Sequence, residues 1–456
     1  MSAAHTTLRP LMSRKSGALQ GRISVPGDKS ISHRALILGA LAQGKTEIAG
    51  LLEAEDILAT AGALKQLGAQ IEKTGDRWVV TGSGLGGLSE PEAALDFGNS
   101  GTGARLMMGI VTGHPLRAVF TGDASLQKRP MGRVLDPLKK MGLAVEEKDR
   151  NTLPLTLLGA SNIVPIRYRL PVPSAQVKSA ILLAGLLAPG RTTVIEAEKT
   201  RDHTERMVTY FGGSIVTREG AEGLEISLEG QTSLEGGPVS VPGDPSSAAF
   251  LVAAAILCEG SAIVIENVLI NPTRTGFYAT LLEMGADIAF TNERDVSGET
   301  VADIKVRSSR LKAVRVPAAR APSMIDEYPI LSVLAAFAEG ETVMEGLSEL
   351  RVKESDRLAA IVSGLCACRV EAKADGDNLH VRGARQVSGG ATVTAQMDHR
   401  IAMSFLILGL AADRPVIIDD AAMIATSFPE FRRLVEKLGG SLSEPEQLSP
   451  HREKFA

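Results

Sequence analysis

Cysteine is scarce. The 456-residue chain carries only Cys258, Cys366 and Cys368, an odd, scattered set with no CxxC pair. It excludes a disulfide framework and fits a reducing, cytoplasmic compartment, and no His/Cys grouping has structural-zinc spacing. Aromatics are few as well, with eleven Phe, four Tyr and one Trp, so platforms for stacking bases or sugar rings are not expected. Neither sign of charge dominates. Forty-nine Lys and Arg against 53 Asp and Glu give a net charge of −4, which speaks against a general nucleic-acid or anionic-membrane surface but leaves room for a local basic cleft. The longest apolar stretches, 248–258 and 401–412, run about a dozen residues, where a membrane span needs about 20.

Several motifs are missing too. Pro26-Gly27-Asp28-Lys29-Ser30 has a phosphate-binding look but lacks the rest of a P-loop. No GxGxxG follows a strand and opens a helix, and neither GxSxG nor HExxH occurs. Neither a cofactor nor a metal is expected. Through Gly27 the chain holds Arg9, Arg14, Lys15 and Arg22 without an acidic residue. That is faintly like a transit peptide, but without a secretory apolar core the expectation is an ordinary N-terminal arm.

What is abundant is glycine, 46 in all, within a chain that is 44% apolar, and it is arranged periodically. Leu67-Gly68-Ala69-Gln70-Ile71, Met141-Gly142-Leu143-Ala144-Val145, Phe211-Gly212-Gly213-Ser214-Ile215, Met284-Gly285-Ala286-Asp287-Ile288 and Leu438-Gly439-Gly440-Ser441-Leu442 share one form. Their glycines lie roughly 70 to 75 residues apart, save one double gap, so a sixth copy is expected near Leu365-Cys366-Ala367-Cys368-Arg369-Val370, with Cys in place of Gly. Each pentad closes an amphipathic helix, such as Ile57, Ala61, Leu64 and Leu67, with glycine as the left-handed cap before a strand. Upstream in the copies lie helices apolar nearly all round, such as 35–42, 177–188, 248–257, 328–338 and 401–410, which belong in an interior. Six units divide as three plus three. Ser-Val-Pro-Gly-Asp occurs at 24–28 and again at 240–244, so the halves are related, with 231–238 as the expected hinge.

The starts of these interior helices read Asp28-Lys29-Ser30, Asn99-Ser100-Gly101, Pro173-Ser174-Ala175-Gln176, Pro245-Ser246-Ser247, Ser323-Met324-Ile325-Asp326-Glu327 and Asp398-His399-Arg400. Taken singly they are ordinary caps. Six equivalent N-termini in a pseudo-symmetric fold should converge, and converging N–H groups and dipoles favour anions. Lys29, Arg34, Arg105, Lys178 and Arg400 lie near them, as do 128–130, 201–203 and 351–357, which implies a focused site for phosphate and carboxylate.

In combination, Pro26-Gly27-Asp28-Lys29-Ser30, Gly98-Asn99-Ser100-Gly101-Thr102-Gly103, Lys128-Arg129-Pro130-Met131 and Lys353-Glu354-Ser355-Asp356-Arg357 resemble the signatures of the 5-enolpyruvylshikimate-3-phosphate (EPSP) synthases. Ser174-Ala175-Gln176-Val177-Lys178, Arg201-Asp202-His203-Thr204-Glu205, Asn271-Pro272-Thr273-Arg274 and Asp398-His399-Arg400 resemble the marks of their class II bacterial branch. The resemblance runs from about Gly21 to about Leu442. It implies an α/β fold of two pseudo-symmetric domains, each of three βαβαββ repeats around buried helices, with the active site in the cleft. Residues 21–238 would form the shikimate 3-phosphate domain, and 1–20 plus 239–456 the second.

The implied reaction moves the enolpyruvyl group of phosphoenolpyruvate to the 5-hydroxyl of shikimate 3-phosphate, a step toward chorismate and the aromatic amino acids. It releases phosphate by addition and elimination through a tetrahedral intermediate, without a cofactor. Carried over by resemblance, Asp326 is the base near the 5-hydroxyl, Glu354 handles the methyl proton, and Lys29 lies between the substrates. Lys29, Ser30, Arg34, Ser174, Ala175, Gln176, Arg201, Asp326 and Lys353 would hold shikimate 3-phosphate. Lys29, Gly101, Arg129, Gln176, Arg357 and Arg400 would hold phosphoenolpyruvate, with glyphosate as its competitor. The chain is expected to be a monomer. A Lys that many relatives carry before Phe428-Pro429 is replaced by Thr426-Ser427.

Two other readings have different consequences. The sister transferase acting on UDP-N-acetylglucosamine has a Cys in the loop before Arg-Pro, which Gly122 to Pro130 lacks. A non-catalytic anion-binding protein would keep the helix starts and arginines but would have no need of Asp326 and Glu354.

Overall fold

A computed structural model describes residues 8–445. Six four-stranded sheets recur in one pattern, a parallel pair at one edge followed by two antiparallel pairs. The second unit shows the order plainly. Strand Leu95–Asp96 leads to helix Gly101–Thr112, strand Arg117–Thr121, helix Gly132–Lys140, and the strands Ala144–Val145 and Leu155–Leu158. That is βαβαββ. The crossover helix has a physical reason, since a parallel pair needs a long crossover and the interior helix supplies it.

The interior helices are Lys29–Leu41, Gly101–Thr112, Ala175–Gly185, Pro245–Leu257, Tyr328–Ala336 and His399–Ala411. Every residue from Pro245 to Ile256 is buried, as apolarity on all faces demands. Fully burying each Leu, Ile or Phe contributes about 1.5–3 kcal/mol. Close approach needs small residues, and a Cβ on Gly109 would stand 2.3 Å from the carbonyl oxygen of Ala180. Two cores result. One gathers side chains from Ile31 to Val241 with Leu269, the other from Leu11 to Val25 and Ala248 to Leu442.

The N-terminal arm is part of this architecture. Leu11–Arg14 is an inner strand between Val416–Ile418 and Ser441–Ser443, completing the sixth unit. The halves also exchange strands. Gln20–Ser24 pairs with Ala262–Leu269 of the second half, and Pro238–Ser240 pairs with Gln43–Ala49 of the first. By strand pairing the chain therefore crosses between 24 and 28 and again between 240 and 244, a few residues beyond the 21 and 238 bounds and beyond the 231–238 hinge expected from the sequence. Residues 1–7 and 446–456 of the expected second domain lie outside the described residues.

The sixth pentad is a correction. The helix Arg357–Ala367 ends on Cys368, and Arg369 takes the left-handed conformation at φ 65°, where the other copies place Gly68, Gly142, Gly212, Gly285 and Gly439 at φ 85° to 115°. The lost glycine thus corresponds to Arg369, not to a cysteine.

Candidate active site

Five of the six interior helices are capped by a side chain. Asp28 accepts from the Ile31 N–H at 2.8 Å, Ser100 from Gly103 at 3.1 Å, Ser174 from Val177 at 3.4 Å, Asp244 from Ser246 at 2.8 Å and Asp398 from Arg400 at 2.9 Å. The fifth helix begins at Tyr328 after Glu327, with no side-chain cap, so the expected start at 323–327 is displaced. Freed from capping, Asp326 turns to cations. Arg201 donates to it at 2.6 Å and Arg357 at 3.2 Å, Lys353 lies at 3.6 Å, and Arg400 approaches at 3.9 Å. Burial pushes its carboxyl up, but Lys353, Arg400, Arg201 and Arg357 together hold it well below the usual range.

Glu354 is the second carboxylate. Arg357 donates to it at 2.5 Å and Arg129 lies 3.7 Å away. Burial opposes ionisation, while Arg357, Arg129, His399 and Lys353 pull its pKa far down. Arg357 is fully buried and also donates to Asp398 at 2.7 Å. One guanidinium therefore fixes Asp326, Glu354 and the last helix start at once.

Gly101 opens its helix beside two more arginines, and a Cβ there would lie 3.0 Å from Arg129 Nη1 and 3.1 Å from Arg105 Nη1. Arg129 donates to Asn99 at 2.5 Å and to Ser125 at 3.3 Å, and its buried Nε has no partner among the described residues. Arg105 donates to Gln176 at 2.7 Å, and Gln176 in turn to Thr102 at 2.9 Å. Burial and the neighbouring Arg129 bring Arg105 down to about 10. Lys29 at the first helix start pairs with Asp56 at 2.8 Å.

Two basic residues are buried. Arg34 is 3% exposed and is held by Thr204, Ser179 and the carbonyl of Ser30. Lys178, grouped above with the cleft cations, is instead 1% exposed and bridges Glu196 at 3.0 Å and Glu205 at 2.7 Å. Its place in a helix buried from Val177 onward was the available signal. Asp56, Asn99, Asp398 and the buried, neutral-leaning His399 were not picked out as site residues. Their roles depend on contacts across 27 to 41 positions of chain, which no local pattern carries. In the 122–130 loop, Ser125 reaches across to the carbonyl of Glu354 at 3.5 Å. At 426–427, Thr426 only closes its own turn on Met423.

Comparison with known proteins shows the family. The family model described as EPSP synthase (3-phosphoshikimate 1-carboxyvinyltransferase) matches residues 13–435. The chain belongs to the EPSP synthase family. It is 58% identical over 442 residues to a Cereibacter sphaeroides protein named 3-phosphoshikimate 1-carboxyvinyltransferase, covering 97% of this chain and 99% of that one. A Parvibaculum lavamentivorans protein of the same name is 58% identical over 443 residues, with 96% and 98% covered. The solved EPSP synthase of Acinetobacter baumannii superimposes with a TM-score of 0.85 at 42% identity, covering 95% of this chain and 99% of that one. This places the chain among transferases of the two-domain enolpyruvyl transferase fold. Among the described residues no helix is long and apolar enough to cross a membrane.

Proposed function

We propose that this chain is a 3-phosphoshikimate 1-carboxyvinyltransferase, joining phosphoenolpyruvate and shikimate 3-phosphate and releasing phosphate. The observation that carries the reading is the pair of carboxylates, Asp326 and Glu354, tied through the same buried Arg357. Addition needs a base for the 5-hydroxyl and a proton for the methylene carbon, and elimination takes a proton back, so two acid/base groups are required.

Without substrate, both carboxylates serve as the counter-charge of the cleft cations. When the phosphate and carboxylate of phosphoenolpyruvate engage Arg129, Arg357 and Arg400, Glu354 loses that counter-charge and its pKa rises. It can then hold the proton that the methylene carbon needs. Asp326 keeps Arg201 and Lys353 and stays ionised as the base. Lys29 stands between the substrates. Ser30, Arg34, Ser174, Ala175, Gln176 and Arg201 of the first half, with Lys353 of the second, bind shikimate 3-phosphate, and Gly101 and Gln176 border the phosphoenolpyruvate site. Glyphosate, which also carries a phosphorus oxyanion and a carboxylate, competes there. The protein acts as a cytoplasmic monomer, and binding of shikimate 3-phosphate draws the halves together and excludes water.

Phosphate release measured with both substrates, and with UDP-N-acetylglucosamine as competing acceptor, tests the reading. Release that depends on shikimate 3-phosphate is expected, and release only with the sugar nucleotide would refute it. The Cys-free loop before Arg129 weighs against the sugar nucleotide.

A further inference from the structure

Below the cleft, at the two crossings, the duplicated Ser-Val-Pro-Gly-Asp segments meet as a symmetric pair. Asp28 N–H donates to the Pro242 carbonyl at 2.7 Å, and Asp244 N–H to the Pro26 carbonyl at 2.9 Å. Gly27 and Gly243 bridge between them. Both aspartates cap the first interior helix of their half, and both turn their carboxylates to a single guanidinium. Arg274 donates to Asp28 at 2.8 Å and to Asp244 at 3.2 Å. It is 3% exposed.

Arg274 does more than neutralise the crossings. On one side it donates at 3.0 Å to Ser246, whose hydroxyl donates to Glu327, the residue next to Asp326. Glu327 in turn faces Arg400 at 3.8 Å, and Arg400 donates to the Asp326 carbonyl at 3.2 Å. On the other side it lies 3.4 Å from His203, which pairs with Glu299 at 2.7 Å. Asn271, three residues before Arg274, donates to Asp202 at 2.7 Å and to Glu299 at 2.8 Å. Asp202 and His203 directly follow Arg201. The spacing of Asp202, His203 and Glu299 would suit a metal ion, but their donors and acceptors are matched to one another and to Asn271.

Arg201 and Asp326 belong to opposite halves and meet at 2.6 Å, and Arg274 lies against His203, two residues after Arg201, and reaches Glu327, next to Asp326, through Ser246. We propose that Arg274 is a positioning residue. It locks the two crossings in register and, through Ser246 and Glu327 on one side and His203 with Asn271 on the other, sets Asp326 against Arg201 as the halves close. Asp28, driven up by burial but brought down to about 2 chiefly by Arg274 and His203, stays ionised at the crossing. The inference rests on the transferase reading above, because Arg274 touches neither substrate nor reacting atoms and acts only on residues that do.

The experiment compares wild type with Arg274→Gln, Arg274→Lys, Ser246→Ala and the Arg274→Gln/Ser246→Ala pair. Thermal melts and circular dichroism fix the folded fraction. Phosphate release gives kcat and both KM values, and titration calorimetry gives shikimate 3-phosphate binding. The expected result is a kcat per folded molecule down about tenfold or more in Arg274→Gln, partly restored in Arg274→Lys. Ser246→Ala should fall in the same direction by about threefold or more, and the double variant should lose less than the product of the two single losses. A purely structural Arg274 would lower the melting temperature and leave kcat per folded molecule at the wild-type value, which overturns the proposal. Should Arg274→Gln fail to fold, wild-type kcat in both Arg274→Lys and Ser246→Ala overturns it equally. Absence of phosphate release in wild type would instead defeat the transferase reading itself, so the two failures are distinguishable.

Discussion

Arg201 and Asp326 are 125 positions apart in sequence and 2.6 Å apart in space, joined between the halves by a half-buried charge-assisted hydrogen bond. Such a pair exists only where the halves are together. It makes the base of the proposed reaction depend on a residue of the other half, and it defines the first prediction.

Asp326→Asn keeps the size and most hydrogen bonds of the side chain but removes the base. Turnover should fall by about 10²- to 10⁴-fold, while calorimetry should still detect shikimate 3-phosphate binding. Turnover within tenfold of wild type would remove Asp326 from the acid/base role.

Arg129→Ala leaves an anionic oxygen unpaired in a desolvated cleft, at a cost of about 2–5 kcal/mol. Because Arg129 sits beside Gly101 and Glu354 and away from Arg201, steady-state kinetics should show the KM for phosphoenolpyruvate rising far more than that for shikimate 3-phosphate. Equal increases would contradict its placement.

Gly101→Ala puts a methyl 3.0 Å from Arg129 Nη1 and 3.1 Å from Arg105 Nη1, both ends of long side chains that can shift. The loss of room falls on the longer glyphosate more than on phosphoenolpyruvate. The inhibition constant for glyphosate should rise more than the KM for phosphoenolpyruvate; an unchanged constant would place tolerance elsewhere.

Arg369→Gly should stabilise the protein. Arg369 is exposed and held at φ 65°, a conformation that costs an L-residue about 1 kcal/mol and glycine nearly nothing. After the greater chain entropy of unfolded glycine, a gain of about 0.5 kcal/mol is expected in denaturant titration, with activity unchanged. Destabilisation would show that the Arg369 side chain makes a compensating contribution.

Acid should destabilise the fold in a defined direction. Asp28, Asp326 and Glu354 have folded-state pKa values below their ordinary ones. Their contribution is therefore complete above the ordinary carboxylate range and is lost as pH falls through the folded-state values, for Asp28 toward about 2. Asp244 and Glu205, raised by burial, titrate in the opposite sense and add nothing to the acid transition. Melting temperatures from pH 7 to 3 should drop steeply below about pH 4.5, and a flat profile would count against these pairings.

Much of this was legible locally. The six-fold repeat follows from the apolar-Gly-x-x-apolar pentads and the helices apolar on all faces, because periodicity and capping act over a few residues; the βαβαββ strand order came only from the family resemblance. The convergence of anion-binding helix starts follows from repeating one unit six times. The family motifs name Lys29, Arg129, Glu354, Arg357 and Arg400, which stand on the helix starts and loops described above. Sequence by itself thus determined the repeat, the interior helices and the chemical character of the cleft. Only the tertiary structure decided that Lys178 is buried between Glu196 and Glu205 while Arg129 borders the site, since a cation's fate depends on which distant carboxylate it meets. It alone decided where the strands cross between halves, that Asp326 escapes the capping role its five counterparts serve, and that Arg274 joins both crossings. These depend on pairings that reach as far as 246 positions along the chain, and their strength comes from burial, which no stretch of sequence possesses until the two halves have folded against each other.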